Sequence, residues 1–187
     1  LLGVDVNGAT LGAFADADAI LGPALPLVDV LHANLEEAMH IVGVEASELC
    51  EESASLEQLR TLAAPLLSAG VAIIAITLGA RGAFVAVTDD AQRLARSSAL
   101  DSVATPWCGH EALLPALPVE GELNANGAGD AFTAGFLAAM LWRDSDEVLS
   151  LEQALGVALA SAHQRVDIAR RGQPRAIDEV LQYLTAA

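Results

Sequence analysis

Apolar runs alternate with amphipathic stretches along almost the whole chain. Short apolar runs near 2–6, 28–32, 71–77 and 83–88, with briefer ones near 100–104 and 116–119, predict strands. Segments near 10–21, 35–43, 56–69, 129–142, 151–165 and 176–185 predict helices. Ser55-Leu-Glu-Gln58 has the form of a capping box opening the third helix, and Gly70 suits its C-terminal cap. Pro65 inside that helix should kink it or shift its boundary, because proline has no N–H to give and its ring crowds the preceding turn. No linker, repeat or low-complexity tract interrupts the alternation. Residues 1–187 therefore read as a single α/β domain with a mainly parallel sheet covered by helices. Ligands on such sheets bind beyond the carboxyl ends of the strands.

The strongest chemical signal is Asn124-Ala-Asn-Gly-Ala-Gly-Asp130, a small-residue turn that runs straight into the apolar segment Ala131 to Trp142. At the start of a helix the N–H groups of Gly127, Ala128, Gly129 and Asp130 lack intrahelical partners. The helix dipole adds partial positive charge at the same place, which favours an anion. Glycines let the backbone approach a phosphate without side-chain interference. Asp130 should repel that phosphate unless it has a compensating role, and general base is the natural one. The alternative is an ordinary helix start, in which Asp130 only complements the dipole.

Two further segments carry compatible features. Asn34-Leu-Glu-Glu37 follows the apolar run Leu27 to His32, and its i,i+3 spacing brings Asn34 and Glu37 together on one helix face. The same pair also fits an N-cap Asn with a Glu at N3. Residues Ala72 to Val87 read as a strand ending in Thr77-Leu-Gly79, a turn through Ala80-Arg-Gly82, and a returning strand. Glycines in such a hairpin can serve the turn alone.

Together, in this order, the three segments resemble the ribokinase-like (PfkB-type) carbohydrate and nucleoside kinases, and the resemblance runs from about Val4 to the C-terminus. The family's signature is Asp-Thr-x-Gly-Ala-Gly-Asp, its second motif Asn-x-x-Glu, and its hairpin Thr-Leu-Gly-x-x-Gly. The resemblance implies ATP-dependent transfer of a γ-phosphoryl group to a hydroxyl of a sugar or nucleoside. Asp130 would be the catalytic base and the amides of Gly127, Ala128 and Gly129 the anion hole. Asn34 and Glu37 would organise Mg²⁺ and the phosphates, with Glu37 the metal-side carboxylate. Thr77, Gly79 and Gly82 would contact the nucleotide, and the helix around Ala158 to Gln164 would border the adenine and ribose. Carbonyls around Asn124, Asn126 and the turn Arg171 to Pro174 would suit a monovalent cation such as K⁺. The small-molecule acceptor is open among ribose, fructose, adenosine and pseudouridine, and the resemblance admits a homodimer.

The chain also departs from that pattern. The first signature Asp is Asn124 here, and the Thr is Ala125. Members generally have roughly three hundred residues and a small β lid, whereas the resemblance begins near Leu2 to Asn7, in mid-fold. No Gly-Gly-x-x-x-Asn sugar segment and no run of lid strands is seen before it, so the chain looks like the nucleotide-binding C-terminal portion of such a kinase. These departures support a competing reading, a non-catalytic nucleotide-binding or scaffold protein that kept the fold. A dinucleotide-binding Rossmann domain fits worse, because no Gly-x-Gly-x-x-Gly follows the first strand.

Charge narrows the partners. Against 25 acidic residues stand nine basic ones, all arginine, for a net charge of −16. Such a field argues against nucleic acid and anionic membranes. ATP is itself an anion, so its site must rely on local amides, Mg²⁺ and an arginine for which Arg81 is the candidate; a plain surface role for Arg81 is the other option. Hydrophobic residues make up 53% of the chain and aromatics only 4%, which predicts an aliphatic interior. Ala134, Gly135, Ala138 and Ala139 should let the signature helix pack closely in a central position. That helix is too short to span a bilayer, and no basic segment precedes an apolar one at the N-terminus, so a cytoplasmic protein is expected. Cys50 and Cys108 lack metal-like spacing and receive no role, and His32, His40, His110 and His163 form no visible ligand set.

Overall fold

In the computed structural model, residues 1–6, 21–45, 49–119, 121–142 and 148–168 are described. The helix expected at 10–21, all but its last residue, the helix expected at 176–185 and the turn at 171–174 lie outside them. Among the described residues five strands form one sheet, in the order in which they occur along the chain. They are β1 (Gly3–Asp5), β2 (Val30–Asn34), β3 (Ile73–Thr77), β4 (Ala83–Val87) and β5 (Glu111–Leu114). β1, β2 and β3 are parallel, β4 runs against β3, and β5 runs against β4. Four strands therefore point one way and β4 alone is reversed.

Helices cover both faces. On one lie α1 (Leu35–Val42) and α2 (Leu56–Ser68); on the other lie α4 (Asp101–Trp107), α5 (Ala128–Leu141) and α6 (Leu151–Val166), with the one-turn α3 (Ala91–Leu94) at an end. The two-residue strand period sorts the core between them. Ile74, Ile76 and Phe84 pack under α1 and α2, while Ile73, Ala75 and Val85 pack under α5 and α6. Each large side chain so buried contributes about 1.5–3 kcal/mol. The small residues of α5 work as expected. A Cβ on Gly135 would come within 3.1 Å of the Ala158 Cα and 2.7 Å of the Ser161 Cβ, so α5 and α6 approach almost backbone to backbone.

Both expected capping boxes are present. Asn34 and Glu37 exchange side-chain and backbone hydrogen bonds at the start of α1, as do Ser55 and Gln58 at the start of α2. Pro65 does not end α2, which continues to Ser68, and the Ala69 N–H still reaches the Pro65 carbonyl. Two expected strands are corrected. Residues 101–107 are helical: Val103 and Trp107 are buried at i,i+4 spacing, and the Trp107 Nε1–H donates to the Leu149 carbonyl. Residues 116–119 lie outside the sheet because Pro115 and Pro118 remove the donors a ladder needs. The strand falls earlier, at Glu111–Leu114.

Candidate active site at the carboxyl ends of the strands

The ladder itself brings two of the sequence motifs together. Asn34, the last residue of β2, is the register partner of Thr77, the last residue of β3, and Thr77 pairs in turn with Ala83. One strand earlier, Asp5 at the end of β1 is the register partner of His32. The start of α5 lies over these strand ends, where the His32 Cε1 stands 3.3 Å from the position of a Cβ on Gly129. All three motifs thereby surround one cavity of about 970 Å³. Asn34, Glu37, Thr77, Gly79, Gly82, Gly127, Ala128, Gly129 and Asp130 all line it, with residues 116–119 and the Leu159–Val166 side of α6 closing it.

The start of α5 has the features of an anion site. Gly127 is the N-cap in the left-handed region, φ 77°, where a side chain is strained, and the Arg165 Nε lies 3.0 Å from where its Cβ would be. The Ala128 N–H differs from expectation: it donates to the Ala125 carbonyl at 3.0 Å, which tightens the turn. Among the described residues, the amides of Gly127, Gly129 and Asp130 donate to no backbone carbonyl. Asp130 is exposed and faces the same cavity.

Asn124 and Asn126 shape this turn from outside the cavity lining. The Asn124 Oδ1 accepts the Asn126 N–H at 3.0 Å, and the Asn124 N–H donates to the Val166 carbonyl. An amide oxygen suffices for that bond, so the turn does not need a carboxylate at this position.

In the hairpin, Gly82 is required twice over. Its φ is 107°, and a Cβ there would fall on the Leu114 carbonyl oxygen and within 2.6 Å of the Ala116 nitrogen. Arg81 turns away from the cavity and donates to the carbonyls of Glu51 and Ala54, at 2.6 and 2.9 Å. It ties the 50–54 turn to the hairpin, half-buried, which is neither the nucleotide contact nor the plain surface role considered for it. That tie places the Glu51 side chain against Gly79 at the cavity wall. Burial, with Glu52 and Glu36 nearby, pushes the Glu51 carboxyl above its ordinary value.

Charge in the lining is mainly negative, from Asp5, Glu37, Glu51 and Asp130; among the described residues no arginine lines it. A polyphosphate there depends on the amides and on a cation. The donor set suits hydrated Mg²⁺. One Glu37 oxygen accepts the Asn34 N–H at 2.8 Å, and a carboxylate offers about four acceptor positions in all. Among the described residues no three His, Cys, Asp or Glu side chains gather to cage a metal. The ion's other positions would fall to water and phosphate, as is usual for magnesium.

Sequence reading missed three contributors. Asp5, His32 and Thr133 form one hydrogen-bonded group beneath Gly129, Arg165 packs against Gly127, and Glu51 reaches the hairpin wall. A carboxylate, an imidazole and a hydroxyl scattered through the sequence give no motif; only strand register and helix docking unite them.

Comparison with known proteins supports the fold. No curated protein sequence matches the chain significantly. Among solved structures it is similar to Arabidopsis thaliana ribokinase in complex with ribose and ATP, at 19% identity and a TM-score of 0.59, over 86% of this chain and 43% of that one. It is likewise similar to an E. coli protein in complex with ATP and Mg²⁺, at 19% identity and 0.60, over 98% and 48%. The nucleoside kinase of Methanocaldococcus jannaschii gives 18% identity and 0.61, over 100% and 48%. The chain thus has the ribokinase-like fold and spans about half the length of these proteins. Among the described residues no helix is long and apolar enough to cross a membrane. Residues 13–168 match the pfkB family of carbohydrate kinases, and the chain belongs to that family.

Proposed function

We propose that this chain carries the nucleotide side of an ATP-dependent phosphotransferase that acts on a hydroxyl of a sugar or nucleoside. One observation carries the reading: strand register and the docking of α5 gather all three motifs around a single cavity. In this reading the amides of Gly127, Gly129 and Asp130 receive the γ-phosphoryl oxygens, and their fixed dipoles stabilise charge during transfer. Asp130 takes the proton of the acceptor hydroxyl as its oxygen attacks phosphorus in line with the departing ADP. Asn34 and Glu37 hold the water shell of Mg²⁺, which when bound neutralises phosphate charge. The Thr77–Gly82 hairpin and the cavity side of α6 hold the nucleoside part. A monovalent cation near Asn124 and Asn126 belongs to the same proposal, as do a cytoplasmic setting and a single domain over 1–187.

Calorimetry with Mg·ATP on the chain, on Asp130→Asn and on Gly129→Asp tests it. Binding should survive the first substitution and vanish with the second, which puts a carboxylate into the anion turn. With an acceptor present, Asp130→Asn should lower transfer by about 10²–10⁴-fold. Undiminished transfer in that variant would remove Asp130 as base. Nucleotide binding by the chain with no transfer to any acceptor would favour the scaffold reading.

A further inference from the structure

His32 is buried, its side chain 5% exposed, and it belongs to the lining of the cavity. Its Nδ1 lies 2.9 Å from the Asp5 Oδ1 and 2.9 Å from the Thr133 Oγ1. The Thr133 hydroxyl donates to the other Asp5 oxygen at 3.2 Å. A carboxylate only accepts, so the imidazole proton belongs on Nδ1. Nε2 is buried and has no partner among the described residues, a position suited to a lone pair and costly for an N–H. The ring stacks on Phe132, centroids 5.0 Å apart, and turns the Cε1 between its two nitrogens toward Gly129.

Three chain segments are thus joined at one imidazole: the end of β1, the end of β2 and the second turn of α5. We propose that His32 is a positioning residue: held by Asp5 and Thr133 with its proton on Nδ1, it fixes the first turn of α5 and so aims the Gly129 and Asp130 amides at a phosphate group. The proposal rests on the functional reading above for the identity of the ligand. An apolar side chain would fill the same space without leaving a buried nitrogen unpaired. The polar group is therefore set by its hydrogen bonds, and Gly129 is glycine because the ring edge lies where a Cβ would press.

The test uses the whole chain. ¹⁵N NMR of the four histidines, with His32 assigned by its loss in His32→Phe, should show Nδ1 protonated and Nε2 bare. Calorimetry with Mg·ATP should then show binding weakened roughly tenfold or more in Thr133→Val and in His32→Phe, which keeps the stacking, and restored in Thr133→Ser. Thermal melts of Thr133→Val close to the wild type show that the fold is retained. A proton on Nε2 in the wild type, or equal affinity in Thr133→Val and Thr133→Ser, overturns the positioning role while leaving the nucleotide reading intact. Absence of Mg·ATP binding by the wild-type chain overturns the functional reading, and with it the aim assigned to His32.

Discussion

Replacing Arg93 by methionine removes a guanidinium that is buried at the pole of the sheet opposite the cavity. Arg93 is 4% exposed; its Nη1 donates to the Asp29 Oδ1 at 3.1 Å, its Nη2 to the Val28 carbonyl at 2.7 Å, and its Nε to the Gly70 carbonyl. Methionine fills most of the same volume, so the loss is chiefly electrostatic. Removing one partner of a buried pair costs about 3–5 kcal/mol, because the other charge stays behind. Three bonds soften it here. The Asp29 carboxylate keeps the Leu2 N–H at 2.9 Å and a hydrogen bond from Ser97, and the Val28 carbonyl keeps the Ala72 N–H at 3.1 Å. The lower end, about 3 kcal/mol, is the expected value. A domain of this size has about 5–15 kcal/mol in all, and each kcal/mol moves its melting temperature by roughly 2–4 °C. Urea unfolding followed by far-UV circular dichroism and by fluorescence of the buried Trp107 measures it. The double variant Asp29→Asn/Arg93→Met leaves no charge behind and should recover at least about 1 kcal/mol relative to Arg93→Met. A single-variant cost below about 1 kcal/mol, or a double variant worse than the single, would refute the reasoning.

The Asp29 carboxyl is raised by burial, but hydrogen bonds from Leu2, Arg93 and Ser97 and the charge of Arg93 outweigh this and depress its pKa. A depressed carboxyl stabilises the fold above its unfolded pKa and loses that contribution as pH falls through the folded one. The stability gap between wild type and Asp29→Asn should therefore stay level down to about pH 4 and narrow below it; a gap that widens on acidification has the wrong sign. Asn34→Ser preserves an N-cap oxygen, so urea midpoints should barely move, whereas Asn34→Ala should cost about 0.5–2 kcal/mol. If Asn34 serves only the cap, Asn34→Ser will bind Mg·ATP as the wild type does. Gly135→Val should cost about 1–3 kcal/mol by forcing α5 from α6, and a neutral result in thermal melts would show that the helices can separate freely.

What the sequence reveals depends on how local the cause is. The β3–β4 hairpin and both capping boxes are set by residues within a few positions of one another, and each is where the pattern places it. Glu111-Ala-Leu-Leu114 has the composition of a helix and becomes a strand only because β4 offers it an edge. Val103 and Trp107 conceal a short helix behind a β-branched residue. The site divides the same way. The proposed anion turn, Gly127 to Asp130, is legible as a candidate because it is a contiguous piece of backbone. The tie of Arg81 to Glu51 and Ala54 and the burial of Arg93 depend on partners 23 to 65 positions away, beyond the reach of any sequence window.

The order of the sheet, identical to the order of the chain, bears on how the molecule is made. Each strand emerging during synthesis can add to the edge left by its predecessor, so the sheet can grow without waiting for distant sequence. The turn that opens α5 is the exception. The bond from Thr133 to Asp5 spans 128 positions and forms only when α5 folds back across the first strands. A nascent chain that stops short of α5 could hold all five described strands and still lack the turn to which the phosphate is assigned in the proposed function, so on that proposal ligand competence comes late in biogenesis.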